Sequence, residues 1–208
     1  MIALDGWTSR HAPFPSPQPL ETGWALIADG MGGHAHGEVA SELAISLLPV
    51  MFAGLATAAD LRSMIAETHS RLHSVMASHK EFLGMGTTIV GVVWLNRSLI
   101  GFNVGDSRLY RWTTDALEQL SVDDSVDNAL TQCLGGHYRD QPVAHLCEWV
   151  AGPTERLLLC SDGLTDMLGD DQIHRILNDC FDDPANGLVD AALSAGGHDN
   201  VSVVVVDP

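Results

Sequence analysis

Three apolar runs in this 208-residue chain each end in an aspartate beside a glycine or serine: Trp24-Ala-Leu-Ile-Ala-Asp29-Gly30, Ile100-Gly-Phe-Asn-Val-Gly-Asp106-Ser107 and Leu157-Leu-Leu-Cys-Ser-Asp162-Gly163. A fourth, Asp199 of Gly197-His-Asp199-Asn200, stands just before the apolar run Val201 to Val206. Strand ends are where a fold collects side chains, and carboxylates collected in one place repel each other. They either take up protons or stay ionised with hard cations between them. The recurrence therefore points to an oxygen-ligand site for divalent metal.

The rest of the pattern sorts into helices and strands. Prolines at positions 13, 15, 17 and 19 make Thr8 to Glu21 an irregular loop between two short strands, Met1 to Leu4 and Gly23 to Ala28. Val39, Ala40, Leu43, Ala44, Leu47 and Leu48 recur at helical spacing and predict a helix from Gly37 to Phe52. Leu61, Ile65, Leu72 and Met76 predict a second from Ala58 to Lys80. Short segments rich in β-branched and aromatic residues come next, at Thr87 to Leu95, Leu99 to Val104 and Leu109 to Trp112. Val143 to Val150 and Arg156 to Cys160 add two strands, Asp170 to Cys180 and Pro184 to Ser194 are helical, and Val201 to Val206 closes as a buried strand. Strands in runs and helices in pairs favour two packed sheets flanked by helices over a βαβ repeat.

The totals narrow the partners. Ten Lys and Arg against 27 Asp and Glu give a net charge of −17, which opposes nucleic acid and anionic membrane and tolerates bound cations. No apolar stretch approaches the roughly 20 residues of a membrane span. Cys133, Cys147, Cys160 and Cys180 are widely spaced with no Cys-x-x-Cys, as reduced core residues of an intracellular protein would be. Met1 to Asp5 has no signal-peptide pattern, so the expected location is cytoplasmic.

The ordered set Ala28-Asp29-Gly30-Met31-Gly32-Gly33-His34, Gly86-Thr87-Thr88, Gly105-Asp106-Ser107-Arg108, Leu130-Thr131-Gln132, Ser161-Asp162-Gly163-Leu164-Thr165-Asp166 and Asp199-Asn200-Val201-Ser202 resembles the bacterial metal-dependent protein phosphatase 2C (PPM) family. The resemblance spans about Ile27 to Val206. It implies an α+β fold, a four-layer α-β-β-α sandwich of two antiparallel sheets flanked by helices, in a single domain over 1–208. It also implies two Mn²⁺ or Mg²⁺ ions. Asp29 would bridge both, the Gly30 carbonyl would serve one, and Asp162 and Asp199 would complete the other. Asp106 and Asp166 match the positions of a weaker third metal. In such enzymes a metal-activated water attacks phosphoserine or phosphothreonine, and His34 is the candidate acid for the leaving alkoxide.

Family members also carry an N-terminal Arg that binds substrate phosphate and an Asn-Glu-Asp or Asn-Gln-Asp triplet. Here Met1-Ile-Ala-Leu resembles the family's strand directly after that triplet, so the domain is expected to be N-terminally incomplete, with neither Asp5 nor Arg10 as a substitute. The stretch Leu120 to Leu130 is shorter than the family's flap beside the active site.

The implied partner is a phosphorylated protein, either a target of a Ser/Thr kinase or the kinase itself, met by a monomer that binds no nucleic acid and no membrane. A catalytically weak relative that binds phosphoproteins is the alternative. Arg108 is expected to pair with a carboxylate inside the fold, and His36 to face solvent. His69 and His73 share a helix face without the Glu of His-Glu-x-x-His, which reads as a solvated face rather than a zinc site. Met51, Met64 and Met76 read as core.

Overall fold

The computed structural model describes residues 2–4, 7–8, 23–31, 36–95, 98–127, 129–137, 140–152, 154–180 and 182–207. The proline loop and His34 lie outside them, except that Thr8 belongs to a short strand.

Among the described residues, ten of fourteen strands form two antiparallel sheets. The first has six: β1 (Ile2–Leu4), β2 (Trp7–Thr8), β3 (Trp24–Ile27), β5 (Ile89–Leu95), β6 (Ser98–Val104) and β12 (His145–Trp149), in the order β12-β6-β5-β3-β1-β2. The second has four: β7 (Arg108–Trp112), β8 (Leu117–Gln119), β13 (Arg156–Cys160) and β14 (Val203–Val206), in the order β14-β13-β7-β8. Two small ribbons pair β4 (Gly86–Thr87) with β11 (Leu134–Gly135), and β9 (Ser125–Val126) with β10 (Ala129–Leu130).

Period-2 alternation assigns each strand's faces. Ala25, Ile27, Val90, Val92, Leu109, Leu157, Leu159 and Val204 form the core between the sheets. From the opposite faces, Leu26, Ile89 and Phe102 pack on helices α1 (Gly37–Phe52) and α2 (Ala58–Ser78). Tyr110, Leu158 and Cys160 pack with α3 (Asp162–Thr165), α4 (Asp170–Asp179) and α5 (Pro184–Ser194). The expected α-β-β-α layering is what these three cores build. Strands buried on both sides explain why the runs are apolar throughout rather than alternating.

Helix α1 has the predicted bounds. Helix α2 is started by a capping box: the Thr57 hydroxyl accepts the Asp60 N–H at 3.2 Å, and the Asp60 carboxylate accepts the Thr57 N–H at 2.8 Å. It ends at Ser78, where residues 80–82 tighten into a 3₁₀ turn.

Several expectations need correction. The strand read over Thr87 to Leu95 is two, because Thr88 leaves the ladder to bond Asp29 and Ser107. The last strand begins at Val203 rather than Val201, since Ser202 is engaged by Ser161. His69 is buried at 2% exposure rather than solvated, with its ring against His73. Cys180 is exposed, whereas Cys133 and Cys160 are core. Met76 is buried in the core, with Met51 and Met64 partly buried against it. No helix among the described residues is long and apolar enough to cross a membrane.

Candidate metal centre

Asp29 leaves β3 at the point where the first sheet meets helix α1. Its carbonyl accepts the Thr88 N–H at 2.8 Å and the Thr87 hydroxyl at 2.9 Å, and its N–H donates to the Thr88 hydroxyl at 3.3 Å. The Thr88 hydroxyl also lies 2.7 Å from that of Ser107, which ties the turn carrying Asp106 to the same support. Gly30 presses on the start of α1. A Cβ there would lie 2.2 Å from the Gly37 carbonyl oxygen, so no side chain fits.

Asp162 comes from the second sheet, at the first position of α3 directly after β13. Ser161 stitches the neighbouring loop to it. Its hydroxyl donates to the Asn200 carbonyl at 3.2 Å and accepts the Ser202 N–H at 3.0 Å. Gly163 permits the close approach, since a Cβ there would lie 2.4 Å from the Asn200 carbonyl oxygen. Asp199 is thereby carried to the same edge, exposed, with its carboxylate accepting the Asn200 N–H at 2.7 Å.

These carboxyls sense one another. Asp29 is pushed up to about 7, first by burial and then by the charge and hydrogen-bonding proximity of Asp162, with Asp199 adding repulsion. Asp162 is raised by burial and by the charges of Asp166 and Asp199. Asp106 is pushed up to about 6 by burial and then by Asp162, with Asp123 and Asp166 contributing. The predicted set Asp29, Asp106, Asp162, Asp166 and Asp199 is thus one electrostatic cluster drawn from both sheets.

Among the described residues no three carboxylate, imidazole or thiol groups close on a single point; what joins the aspartates is electrostatic reach. The Asp162 Oδ1 atom is buried with no hydrogen-bond partner. A mutually repelling, all-oxygen donor set with one orphaned oxygen fits a hard divalent cation.

Arg108 behaves as expected. Its Nε and Nη2 donate to Asp123 Oδ2 at 3.0 and 2.7 Å, and its Nη1 donates to the Tyr110 hydroxyl at 3.0 Å. The short stretch after Leu120 proves to be the β9–β10 hairpin, anchored by Asp124. That buried carboxylate accepts from the Gly105 N–H at 2.9 Å and the Gln132 amide at 2.7 Å, and lies 2.8 Å from His145 Nε2. Asp123 and Asp124 were missed as contributors to the site; the adjacent acids in a stretch otherwise read only for its length were the available signal. The His36 side chain is 40% exposed; the residue initiates α1 at φ 68° and packs edge-on against Phe82 at 5.0 Å.

A family model described as protein phosphatase 2C matches residues 18–194. The chain belongs to that family. It is 32% identical over 211 aligned residues to the serine/threonine phosphatase stp of Listeria welshimeri, covering 88% of this chain and 83% of the relative. The solved serine/threonine phosphatase PstP/Ppp of Mycobacterium tuberculosis superposes with a TM-score of 0.79 at 30% identity, covering 100% of this chain and 97% of that one. A structure of the PstP catalytic domain in complex with two manganese ions gives a TM-score of 0.75 at 29% identity, covering 100% and 97%. The phosphatase 2C fold is therefore shared, and Asp199, beyond the family-model match, lies within these superpositions.

Proposed function

We propose that this protein is a metal-dependent protein serine/threonine phosphatase that hydrolyses phosphoserine and phosphothreonine. The observation that carries the reading is the coupled carboxylate cluster built from both sheets, with its unpartnered Asp162 Oδ1. Relatives named as serine/threonine phosphatases favour an enzyme over a weak phosphoprotein-binding module. In this reading Asp29, the Gly30 carbonyl, Asp162 and Asp199 would hold two Mn²⁺ or Mg²⁺ ions, and Asp106 and Asp166 would hold a third, weaker one. Bound divalent cations supply positive charge that acidifies water and neutralises phosphoryl oxygens.

The chain's own contribution is placement and proton control. Thr87 and Thr88 pin the Asp29 backbone, while Ser161 holds the 199–202 loop against α3. Burial, and then the nearby Asp162, push the Asp29 carboxyl up to about 7, so it keeps part of its proton at neutral pH in the metal-free protein. Such preorganised charge carries most of phosphoryl transfer, because the chemistry needs positioning more than covalent help. His34, outside the described residues, is the proposed donor to the leaving alkoxide. The substrate is a phosphorylated protein, a Ser/Thr kinase target or the kinase itself, met by a monomer in the cytoplasm. The cytoplasmic assignment suits the four unpaired thiols.

The test is release of p-nitrophenol from p-nitrophenyl phosphate with Mn²⁺, with Mg²⁺ and with chelator. Turnover should require metal and be abolished by Asp162→Asn. Metal-independent release, or an active Asp162→Asn protein, overturns the assignment.

A further inference from the structure

The first sheet ends at β12, and exposed apolar side chains gather along that edge. Of the seven large apolar residues exposed among the described residues, four, Val122, Val126, Val143 and Val150, stand on the β9–β10 hairpin and its root or flank β12. Such a grouping marks an interaction surface rather than scatter. Where β12 and β6 meet residues 120–122 lies a slot of about 110 Å³, lined by Asn103, Leu109, Leu120, Val122, His145 and Cys147 among others. That volume is below the usual range of small-molecule sites and below the roughly 150 Å³ that holds a benzene ring. Its size suits one aliphatic side chain.

The polar side chains of the slot are already engaged within the chain. The Asn103 amide donates to the Gly105 and Val122 carbonyls at 3.1 and 2.7 Å, and its oxygen accepts the Val122 N–H at 3.2 Å. The Ser121 hydroxyl accepts the Leu109 N–H at 3.0 Å, and His145 Nε2 lies 2.8 Å from Asp124 Oδ1. What remains for a guest is the apolar surface of Leu109, Leu120, Val122 and Cys147. The surroundings are acidic. Residues 120–150 carry Asp123, Asp124, Asp127, Asp140 and Glu148 against a single basic residue, Arg139, and Asp127, Asp140 and Glu148 are exposed. A partner whose apolar residue is flanked by basic ones complements this surface.

Short links tie the slot to the aspartate cluster. His145 pairs in register with Asn103, three residues before Asp106, which at about 3.4 Å per strand residue sets the slot within about 10 Å of that carboxylate. Asp124 joins the two directly, since it lies beside His145 Nε2 and accepts the Gly105 N–H at 2.9 Å. From there β12 runs away toward Trp149, with β6 on one side and no strand among the described residues on the other. An open sheet edge takes an extended peptide as an added strand, whose alternate side chains turn to one face. We propose that β12 and this slot dock an extended segment of the phosphoprotein substrate, an aliphatic side chain entering the slot beside His145 and basic residues flanking it. This rests on the phosphatase reading above. In the antiparallel orientation, the stabler pairing, the segment runs toward the metal centre, so the aliphatic residue stands three places before the phosphoresidue.

The test uses the full chain with Mn²⁺ and arginine-flanked phosphothreonine peptides that carry leucine, alanine or aspartate three places before the phosphoresidue. Leucine should lower KM at least about tenfold relative to alanine at equal kcat, as burial of one leucine side chain predicts, and aspartate should be poorest. Leucine three places after the phosphoresidue should bring no preference. Val122→Trp and Val122→Asp, both at an exposed position on the slot, should each abolish the leucine preference while turnover of p-nitrophenyl phosphate stays within about twofold. Binding of the unphosphorylated threonine peptides, read by fluorescence anisotropy in chelator, separates docking from catalysis. A leucine preference there without p-nitrophenyl phosphate turnover supports the docking site and sinks the phosphatase assignment alone. No leucine preference in either assay overturns the docking site, with or without turnover. A preference retained in both Val122 variants overturns it as well, and so does a dimer of the free chain that Val122→Asp dissociates, which gives the slot to a second copy.

Discussion

Replacing Asp29 with asparagine should make the metal-free protein more stable and the enzyme inactive. Asp29 is carried from an ordinary carboxyl value of 3.8 up to about 7, by burial first and by Asp162 second. A rise of about three in pKa corresponds to about 4 kcal/mol of penalty for the ionised group above neutral pH. Asp162 shares that penalty, so about half, roughly 2 kcal/mol, is a fair assignment to Asp29 alone. Asparagine keeps the shape and removes the charge, releasing Asp162 from its closest anion. For a chain of 208 residues each kcal/mol moves Tm by about 2–4 °C. Metal-free Asp29→Asn should therefore melt about 4–8 °C above the wild type at pH 7.5.

Added Mn²⁺ should reverse the order. The wild type gains stability from ions that bind only the folded state, while the variant, short of the proposed bridging ligand, gains little. Turnover of p-nitrophenyl phosphate should fall by at least about 10³-fold, because the lost group orders the charge that stabilises the transition state. Scanning calorimetry with chelator and with Mn²⁺, beside the turnover assay, reads all three quantities. A variant that melts below the wild type without metal, or that keeps Mn²⁺-dependent turnover within about tenfold, would refute the argument that this carboxylate trades stability for function.

The same pair sets a pH dependence. Asp29 and Asp106 have folded values near 7 and 6, above the unfolded 3.8, so the folded state binds more protons. Their favourable contribution is fully present below about pH 4 and is lost as pH rises through those values. The Tm advantage of metal-free Asp29→Asn should accordingly vanish at about pH 4.5 and reach its maximum near pH 7.5. Gly30→Ala places a Cβ 2.2 Å from the Gly37 carbonyl oxygen, with backbone on both sides of the contact. It should cost about 1–3 kcal/mol and weaken Mn²⁺ binding by calorimetry, whereas Gly54→Ala, whose nearest new neighbour is 3.6 Å away, should cost under about 1 kcal/mol. Asp124→Asn leaves too few acceptor sites for the Gly105 N–H, the Gln132 amide and the His145 ring. It should lower stability by about 2 kcal/mol and speed proteolysis within residues 120–130, measured by limited digestion.

Legibility in the sequence divides along physical lines. Helix α1 was legible because its apolar positions repeat at a helical period over four turns, and the inter-sheet strands because both of their faces are buried. The break at Thr88 was not, since threonine favours strands and its departure depends on bonds to Asp29 and Ser107, which are distant in sequence. The burial of His69 escaped for the same reason. An imidazole on a helix beside another reads as polar surface until β11 is laid across it and Gly135 supplies a donor. The aspartate cluster was visible only as a recurrence of strand-then-Asp, with nothing local to say that Asp29 and Asp162 arrive from different sheets. Asp123 and Asp124 show the limit most clearly: neighbours in sequence, one pairs with Arg108 and the other gathers the Gly105 turn and His145. Tertiary packing alone separates their roles.

The division of ligands between sheets has a consequence for how the fold is held. Asp29 and Asp106 hang from strands of the first sheet, Asp162 and Asp166 from the end of β13 in the second, and Asp199 from the loop entering β14. When these carboxyls are ionised their repulsion opposes the apolar core that closes the sheets on each other. In the proposed reading a cation held by Asp29 and Asp162 together changes that repulsion into a cross-link between the sheets, so metal affinity and sheet packing are thermodynamically linked. Thinning the shared core should then weaken metal binding from a distance. Leu159→Ala, fully buried between the sheets, should cost about 2–5 kcal/mol of stability. If the linkage holds, it should also raise the apparent Kd for Mn²⁺, although Leu159 is no ligand. An unchanged Kd in a destabilised but folded Leu159→Ala protein would show that the two sheets are already locked at that edge without the ion.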